Sequence, residues 1–284
     1  MERIAVVGCG LMGSGIAEVA ARAGIDVLVI ERDNDAIASG QARIEKSLTR
    51  AVAAGKVPEE EANLARAHLS FTDDFSKLSD RQMVIEAVAE DEATKIEVFK
   101  KLDQYVSDPN AILASNTSSI PIIKLAMVTS RPEQVIGMHF FNPVPVLKLV
   151  ELISSLLTSA ETTKRVEDFA GMQLKKRVIT SPVRAGFVVN ALLIPYILSA
   201  IRMLESGFAS AEDIDIGMME GCAHPMGPLA LSDLIGLDTT LAVADSLYAE
   251  FKEPHLAPPP LLSRMTQAGL LGRKNGQGFY TYKK

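Results

Sequence analysis

Cysteine is almost missing from this chain: Cys9 and Cys222 are the two in 284 residues. Two thiols build neither a disulfide framework nor, unaided, a metal site. Histidine is scarce too, at four, and His68, His224 and His255 have no partner at metal-ligand spacing, so no metal is expected. Positive charge is not in excess: 29 Lys and Arg stand against 35 Asp and Glu, a net charge of −6. Such a balance leaves nothing to neutralise a phosphate backbone, which argues against nucleic acid as a partner. No apolar run reaches the roughly eighteen residues that a membrane span needs. Met1-Glu2-Arg3 enters a strand without a signal-peptide pattern, so a cytoplasmic protein is expected. What remains is an ordinary globular composition, 48% hydrophobic and 23% charged, sufficient for one large domain or two modest ones.

The N-terminal half carries a dinucleotide fingerprint. Ile4-Ala5-Val6-Val7 reads as a strand buried on both faces of a parallel sheet, and it runs into Gly8-Cys9-Gly10-Leu11-Met12-Gly13. A helix follows from Ser14 to Ala23. The glycines serve a tight turn, close approach of the backbone to a pyrophosphate, and close packing of helix on strand. The free N–H groups at the helix start then receive the phosphates. The next strand, Asp26 to Ile30, ends at Glu31, eighteen positions after Gly13. Glu31 is placed to accept from the adenosine ribose hydroxyls and to repel a 2′-phosphate, which favours NAD over NADP. Arg32 beside it is the residue type that can accommodate such a phosphate.

Strand and helix signals go on alternating. Helices are expected over Asn34–Ala54 and Glu59–Ala67, an unusually long crossover turning at Gly55-Lys56-Val57-Pro58, and again over Glu92–Val106 and Glu161–Met172. Strands are expected after His68 and at 83–85, 111–114, 135–138, 149–153 and 177–180. From Ser181-Pro182 the pattern turns helical. Val188–Glu205 is long and apolar, with Pro195 predicting a kink or local break, and four shorter helices follow. The expectation is therefore an α/β protein: a Rossmann-type doubly wound, mostly parallel sheet over residues 1–183, with a helical-hairpin insertion at about 34–67. A C-terminal all-α domain over 184–284 completes it. Several apolar helices in about a hundred residues expose surface that suggests a homodimer.

Two polar clusters fall just beyond strand ends, where open α/β sheets place their ligands. One is Ser115-Asn116-Thr117-Ser118-Ser119. The other begins at His139 and is followed twelve residues later by Glu151. Together His139, Glu151 and Ser118 offer a base, a carboxylate to orient it, and a hydroxyl donor, the parts that move a proton on and off an alcohol.

The sequence GCGLMGSG at 8–15, SNTSS at 115–119 and HFFNPVPVLKLVE at 139–151 resembles the short-chain L-3-hydroxyacyl-CoA dehydrogenase family. So do GFVVNALLIPY at 186–196, PMGPLALSDLIGLD at 225–238 and GRKNGQGFY at 272–280, so the resemblance spans essentially the whole chain. It implies NAD-dependent, reversible oxidation of a (3S)-3-hydroxyacyl-CoA to the 3-oxoacyl-CoA, with the four-carbon 3-hydroxybutyryl-CoA as the expected substrate. His139 is then the general base, Glu151 holds its tautomer, Ser118 hydrogen-bonds the reacting oxygen, and Asn190 helps hold that oxygen or the thioester carbonyl. Gly8, Gly10, Leu11, Met12, Gly13, Glu31, Glu90, Lys95, Asn116 and Ser118 are the implied NAD contacts. Ser47 and Lys56 on the hairpin are the implied grip on CoA. The family motif, and no geometry legible in the sequence, selects Ser118 over Ser119. Ala191 departs from the arginine that many relatives carry there. A dehydrogenase of a free hydroxy acid on the same fold, or a catalytically idle dinucleotide binder, are the competing functions.

Overall fold

A computed structural model describes residues 1–282. Its sheet has eight strands: β1 (Arg3–Val7), β2 (Asp26–Ile30), β3 (Leu69–Thr72), β4 (Met83–Glu86), β5 (Ile112–Ser115), β6 (Val135–Phe140), β7 (Leu149–Ser154) and β8 (Arg177–Pro182). Their spatial order is 3-2-1-4-5-6-7-8, and every neighbouring pair is parallel except β6 and β7. The chain winds outward from β1 in one direction and then from β4 in the other. The crevice between those two strands is therefore the topological switch point, where carboxyl ends diverge and ligands bind.

The helices covering this sheet are α1 (Leu11–Arg22), α2 (Asn34–Ala53), α3 (Glu59–Ala67), α4 (Glu92–Tyr105), α5 (Ile122–Ala126) and α6 (Ala160–Asp168). Helix α6 continues into a wider, π-type turn at Phe169–Gln173. Short polar side chains start several of them: Asp33 accepts from Ala36 N–H at α2, and Asp91 from Thr94 N–H at α4. Helix α1 is the exception. It begins at Leu11, three residues before the sequence-based start, and Gly10 gives it no side-chain cap. Its first N–H groups are thus left to a ligand. The apolar runs of β1, β2 and β4 are buried throughout beyond Arg3 and Asp26, as strands covered on both faces must be. Ile16, Ala17 and Ala20 of α1 and Ile44 and Leu48 of α2 close over them.

The chain divides into two compact units, Met1–Arg184 and Ala185 onward. The second contains α7 (Val189–Glu205), α8 (Ala211–Cys222), α9 (Pro228–Ile235), α10 (Leu237–Phe251) and α11 (Pro260–Gln267). Of the kink or local break expected at Pro195, the break does not occur: α7 is continuous through it. The helix runs on because Ile194, Ile197, Leu198 and Ile201 pack into the core of this unit, outweighing the one hydrogen bond that proline removes. The aromatic tail packs against the same core through two buried carboxylates. Asp233 accepts from the N–H groups of Phe279 and Tyr280 and from the Tyr282 hydroxyl, each at 2.9 Å. Asp215 accepts from Leu229 and Ala230 at the start of α9 and from the Tyr280 hydroxyl.

Candidate active site

The glycine loop shows why its residues are small. A Cβ on Gly13 would lie 1.8 Å from the Gly8 carbonyl oxygen, and one on Gly8, at φ +91°, would lie 2.7 Å from the Ala87 carbonyl oxygen. A Cβ on Gly10 would meet nothing within 4 Å. Gly8 and Gly13 therefore close the turn against β4, while Gly10 leaves open ground above the uncapped start of α1. That arrangement fits a dinucleotide pyrophosphate. Glu31, at the end of β2, accepts from the Cys9 N–H at 2.5 Å through one oxygen and from the Arg32 N–H through the other. Its carboxylate is thereby fixed beside the loop.

On the other side of the switch point, β4 ends in a fully buried carboxylate, Glu86. It accepts from the Lys95 ammonium at 2.6 Å, from the Ser115 hydroxyl at 2.6 Å and from the Val88 N–H at 2.7 Å. Lys95, expected to touch the cofactor, is buried to 1% exposure. Its ammonium lies between Glu86 and Glu90, the latter at 3.3 Å. Sequence reading missed Glu86, although an acidic residue closing the apolar run Met83-Val84-Ile85 is an available signal.

Glu90 organises the serine cluster. One of its oxygens accepts from the N–H groups of Ser118 and Ser119, at 2.8 and 3.2 Å, and from the Thr117 hydroxyl at 2.5 Å. The Ser118 and Ser119 hydroxyls lie at 3.3 and 3.1 Å from the same atom. Burial pushes the Glu90 carboxyl up, but the Lys95 charge, the Thr117 hydroxyl and the Ser118 N–H outweigh it and hold it below its ordinary value. Asn116 joins this loop to the next strand, its side-chain oxygen accepting from the Phe140 N–H at 2.9 Å. The cluster is thus anchored to the residue adjoining His139.

His139 and Glu151 face each other as direct partners in the antiparallel pairing of β6 with β7. This pairing explains the twelve-residue spacing. Nδ1 of the imidazole is 2.8 Å from Glu151 Oε2, with His139 6% exposed and Glu151 fully buried. A carboxylate only accepts, so the shared hydrogen belongs to Nδ1 and the basic lone pair to Nε2. The Phe141 ring lies against the imidazole, centroids 4.6 Å apart.

The remaining expected site residues come from α2, the hairpin turn and α7. Ser47 is half-buried on α2, and Lys56 is exposed at the hairpin turn. Asn190 is the second residue of α7, in the second unit. Ala191 beside it donates its N–H to the Gly186 carbonyl at 2.9 Å. Among the described residues no group of three His, Cys, Asp or Glu could hold a metal ion.

Residues 3–183 match the family pattern described as 3-hydroxyacyl-CoA dehydrogenase, NAD binding domain, and residues 186–282 that of the 3-hydroxyacyl-CoA dehydrogenase C-terminal domain. The chain is 59% identical over 282 residues to a 3-hydroxybutyryl-CoA dehydrogenase of Mycobacterium tuberculosis, covering 99% of each chain. The solved structure of M. tuberculosis FadB2 superposes with a TM-score of 0.99 at 59% identity, over 100% of this chain and 99% of the other. That of a (S)-3-hydroxybutyryl-CoA dehydrogenase from Ralstonia eutropha gives 0.94 at 46% identity, over 100% of both.

Proposed function

Because this chain belongs to the 3-hydroxyacyl-CoA dehydrogenase family, we propose that it interconverts (3S)-3-hydroxybutyryl-CoA and acetoacetyl-CoA with NAD. The observation carrying the catalytic assignment is the buried His139–Glu151 pair, held at 2.8 Å across two neighbouring strands. In the oxidative direction the imidazole Nε2 takes the proton of the 3-hydroxyl, and Glu151 stabilises the imidazolium that forms. Bound NAD supplies the acceptor for the hydride that leaves C3. Ser118, presented by the Glu90-anchored loop, holds the reacting oxygen, and Ser47 and Lys56 grip the CoA moiety; the family resemblance assigns Asn190 to the same oxygen or to the thioester carbonyl. Gly10 and the start of α1 receive the pyrophosphate, Glu31 the ribose hydroxyls, and Glu90 and Asn116 line the nicotinamide side.

The test is NADH oxidation with acetoacetyl-CoA and, in parallel, free acetoacetate. The expected result is turnover of the CoA ester alone, reduced on the order of 10²–10⁴-fold in His139→Ala. Equal turnover of acetoacetate would move the assignment to a free hydroxy-acid dehydrogenase, and NADH binding without turnover of either to an idle binder.

The second unit is assigned to dimerisation as well as to substrate. Phe208, Leu192 and Ile216 are 80%, 73% and 57% exposed there, apolar surface that a second copy would cover. A monomer by light scattering at micromolar concentration would refute this. Among the described residues no helix is long and apolar enough to cross a membrane. A cytoplasmic setting is supported by Cys222, a free and exposed thiol.

A further inference from the structure

The peptide groups of Cys9 are held from two sides. Its N–H donates to Glu31 at 2.5 Å, and its carbonyl accepts from Nη1 of Arg43, a half-buried residue of α2, at 2.6 Å. One residue's backbone therefore separates a carboxylate from a guanidinium at the rim of the adenosine ribose site. Burial pushes the Cys9 thiol up most, and the thiol also feels both charges, Glu31 raising it further and Arg43 lowering it. Arg43 has one other contact, the Ser39 hydroxyl at 3.5 Å, and among the described residues no carboxylate pairs with it. Arg32 adds a second cation beside Glu31. Its side chain is 84% exposed and bridges to Asp33, an exposed pair of little strength.

We propose that Arg43, with Arg32, forms a latent acceptor for a 2′-phosphate on the adenosine ribose, which the charge of Glu31 alone keeps closed. Preference for NAD over NADP in this chain then rests on one carboxylate, not on the lack of a phosphate site. A guanidinium is the donor suited to a phosphate dianion, presenting several N–H groups in a fixed fork. The anchor on the Cys9 carbonyl limits the ordering that Arg43 still has to undergo, which favours binding. In the wild type Glu31 opposes the phosphate through repulsion at short range. Glu31→Gln removes that charge yet keeps an oxygen for the Cys9 N–H, so the loop geometry survives.

The inference rests on the NAD-binding reading, and the experiment separates the two. Full-length wild type, Glu31→Gln, Arg43→Met and the double variant are titrated with NADH and NADPH by fluorescence, with 2′,5′-ADP as a competitor. The expected result is that Glu31→Gln tightens NADPH and 2′,5′-ADP roughly tenfold or more, the scale of one charge-assisted contact. Arg43→Met in that background should return most of the gain while changing NADH binding less. No gain in Glu31→Gln, or a gain that survives Arg43→Met, overturns the proposal. Wild type that binds neither dinucleotide overturns the NAD reading and this inference with it. The thermal midpoint of each variant shows whether the loop still folds.

Discussion

Glu151→Gln is the sharpest probe of the catalytic pair, because it removes a charge without removing a shape. Glu151 is fully buried and its Oε2 lies 2.8 Å from His139 Nδ1. Once the imidazole has taken the substrate proton, carboxylate and imidazolium are about 4 Å apart between charge centres. At an effective dielectric near 20 that attraction is worth about 4 kcal/mol. An amide restores part of it by accepting the Nδ1 hydrogen, but it can also turn its NH₂ inward and favour the wrong tautomer. A net loss of about 3–4 kcal/mol corresponds to a fall in kcat on the order of 10²–10³-fold. The assay is NADH oxidation at saturating acetoacetyl-CoA, with NADH affinity and thermal midpoint measured on the same preparation. The expected pattern is a lower kcat with near-unchanged NADH binding and fold. A variant within threefold of wild-type kcat, equally stable, would show that Glu151 is a structural partner of His139 and no part of proton transfer.

Gly13→Ala places a methyl 1.8 Å from a backbone oxygen, a clash only movement of the loop relieves; a loss of about 2–4 kcal/mol in denaturant unfolding and loss of NADH binding are expected. Asp233→Ala strips the tail of the acceptor for two backbone N–H groups and the Tyr282 hydroxyl; about 3 kcal/mol of destabilisation is expected, and less than 1 would contradict the role assigned to it. Burial, aided by the Glu31 charge, pushes the Cys9 thiol up to about 12, so at pH 8 it stays protonated and unreactive. Native protein should then yield one fast-labelling thiol, the exposed Cys222, and two after unfolding. Glu90 is held below its ordinary 4.5 when folded, so the stability it contributes is present above that pH and lost as pH falls through the folded value. The gap in thermal midpoint between wild type and Glu90→Gln should accordingly narrow below pH 4.5, and a constant gap would contradict the pairing.

The sequence alone determined the alternation of buried strands and helices, the glycine turn and the change to a helical second unit. These are local matters: a doubly buried parallel strand must be apolar throughout, and a turn that a backbone oxygen crosses at Gly13 admits no Cβ. Helix starts were less legible, since α1 begins in the loop itself, where no capping side chain announces it. At Pro195 the sequence left a break open, because local propensity says nothing of the apolar face that holds α7 together. Tertiary structure decided the rest. Only the antiparallel turn of β7 onto β6 puts Glu151 opposite His139; a parallel pairing would have separated them. Only the pairing of β4 with β5, with α4 folded back beside them, brings Glu86, Lys95, Ser115 and Glu90 into one network, since its members come from β4, α4, β5 and the loop between β4 and α4. Arg43, thirty-four residues from Cys9, has no sequence mark at all; it reaches the glycine loop because Gly40 lets α2 lie against the Cys9 side chain. Short-range sterics and burial are written residue by residue, whereas a charge's partner is fixed by where the whole chain brings it.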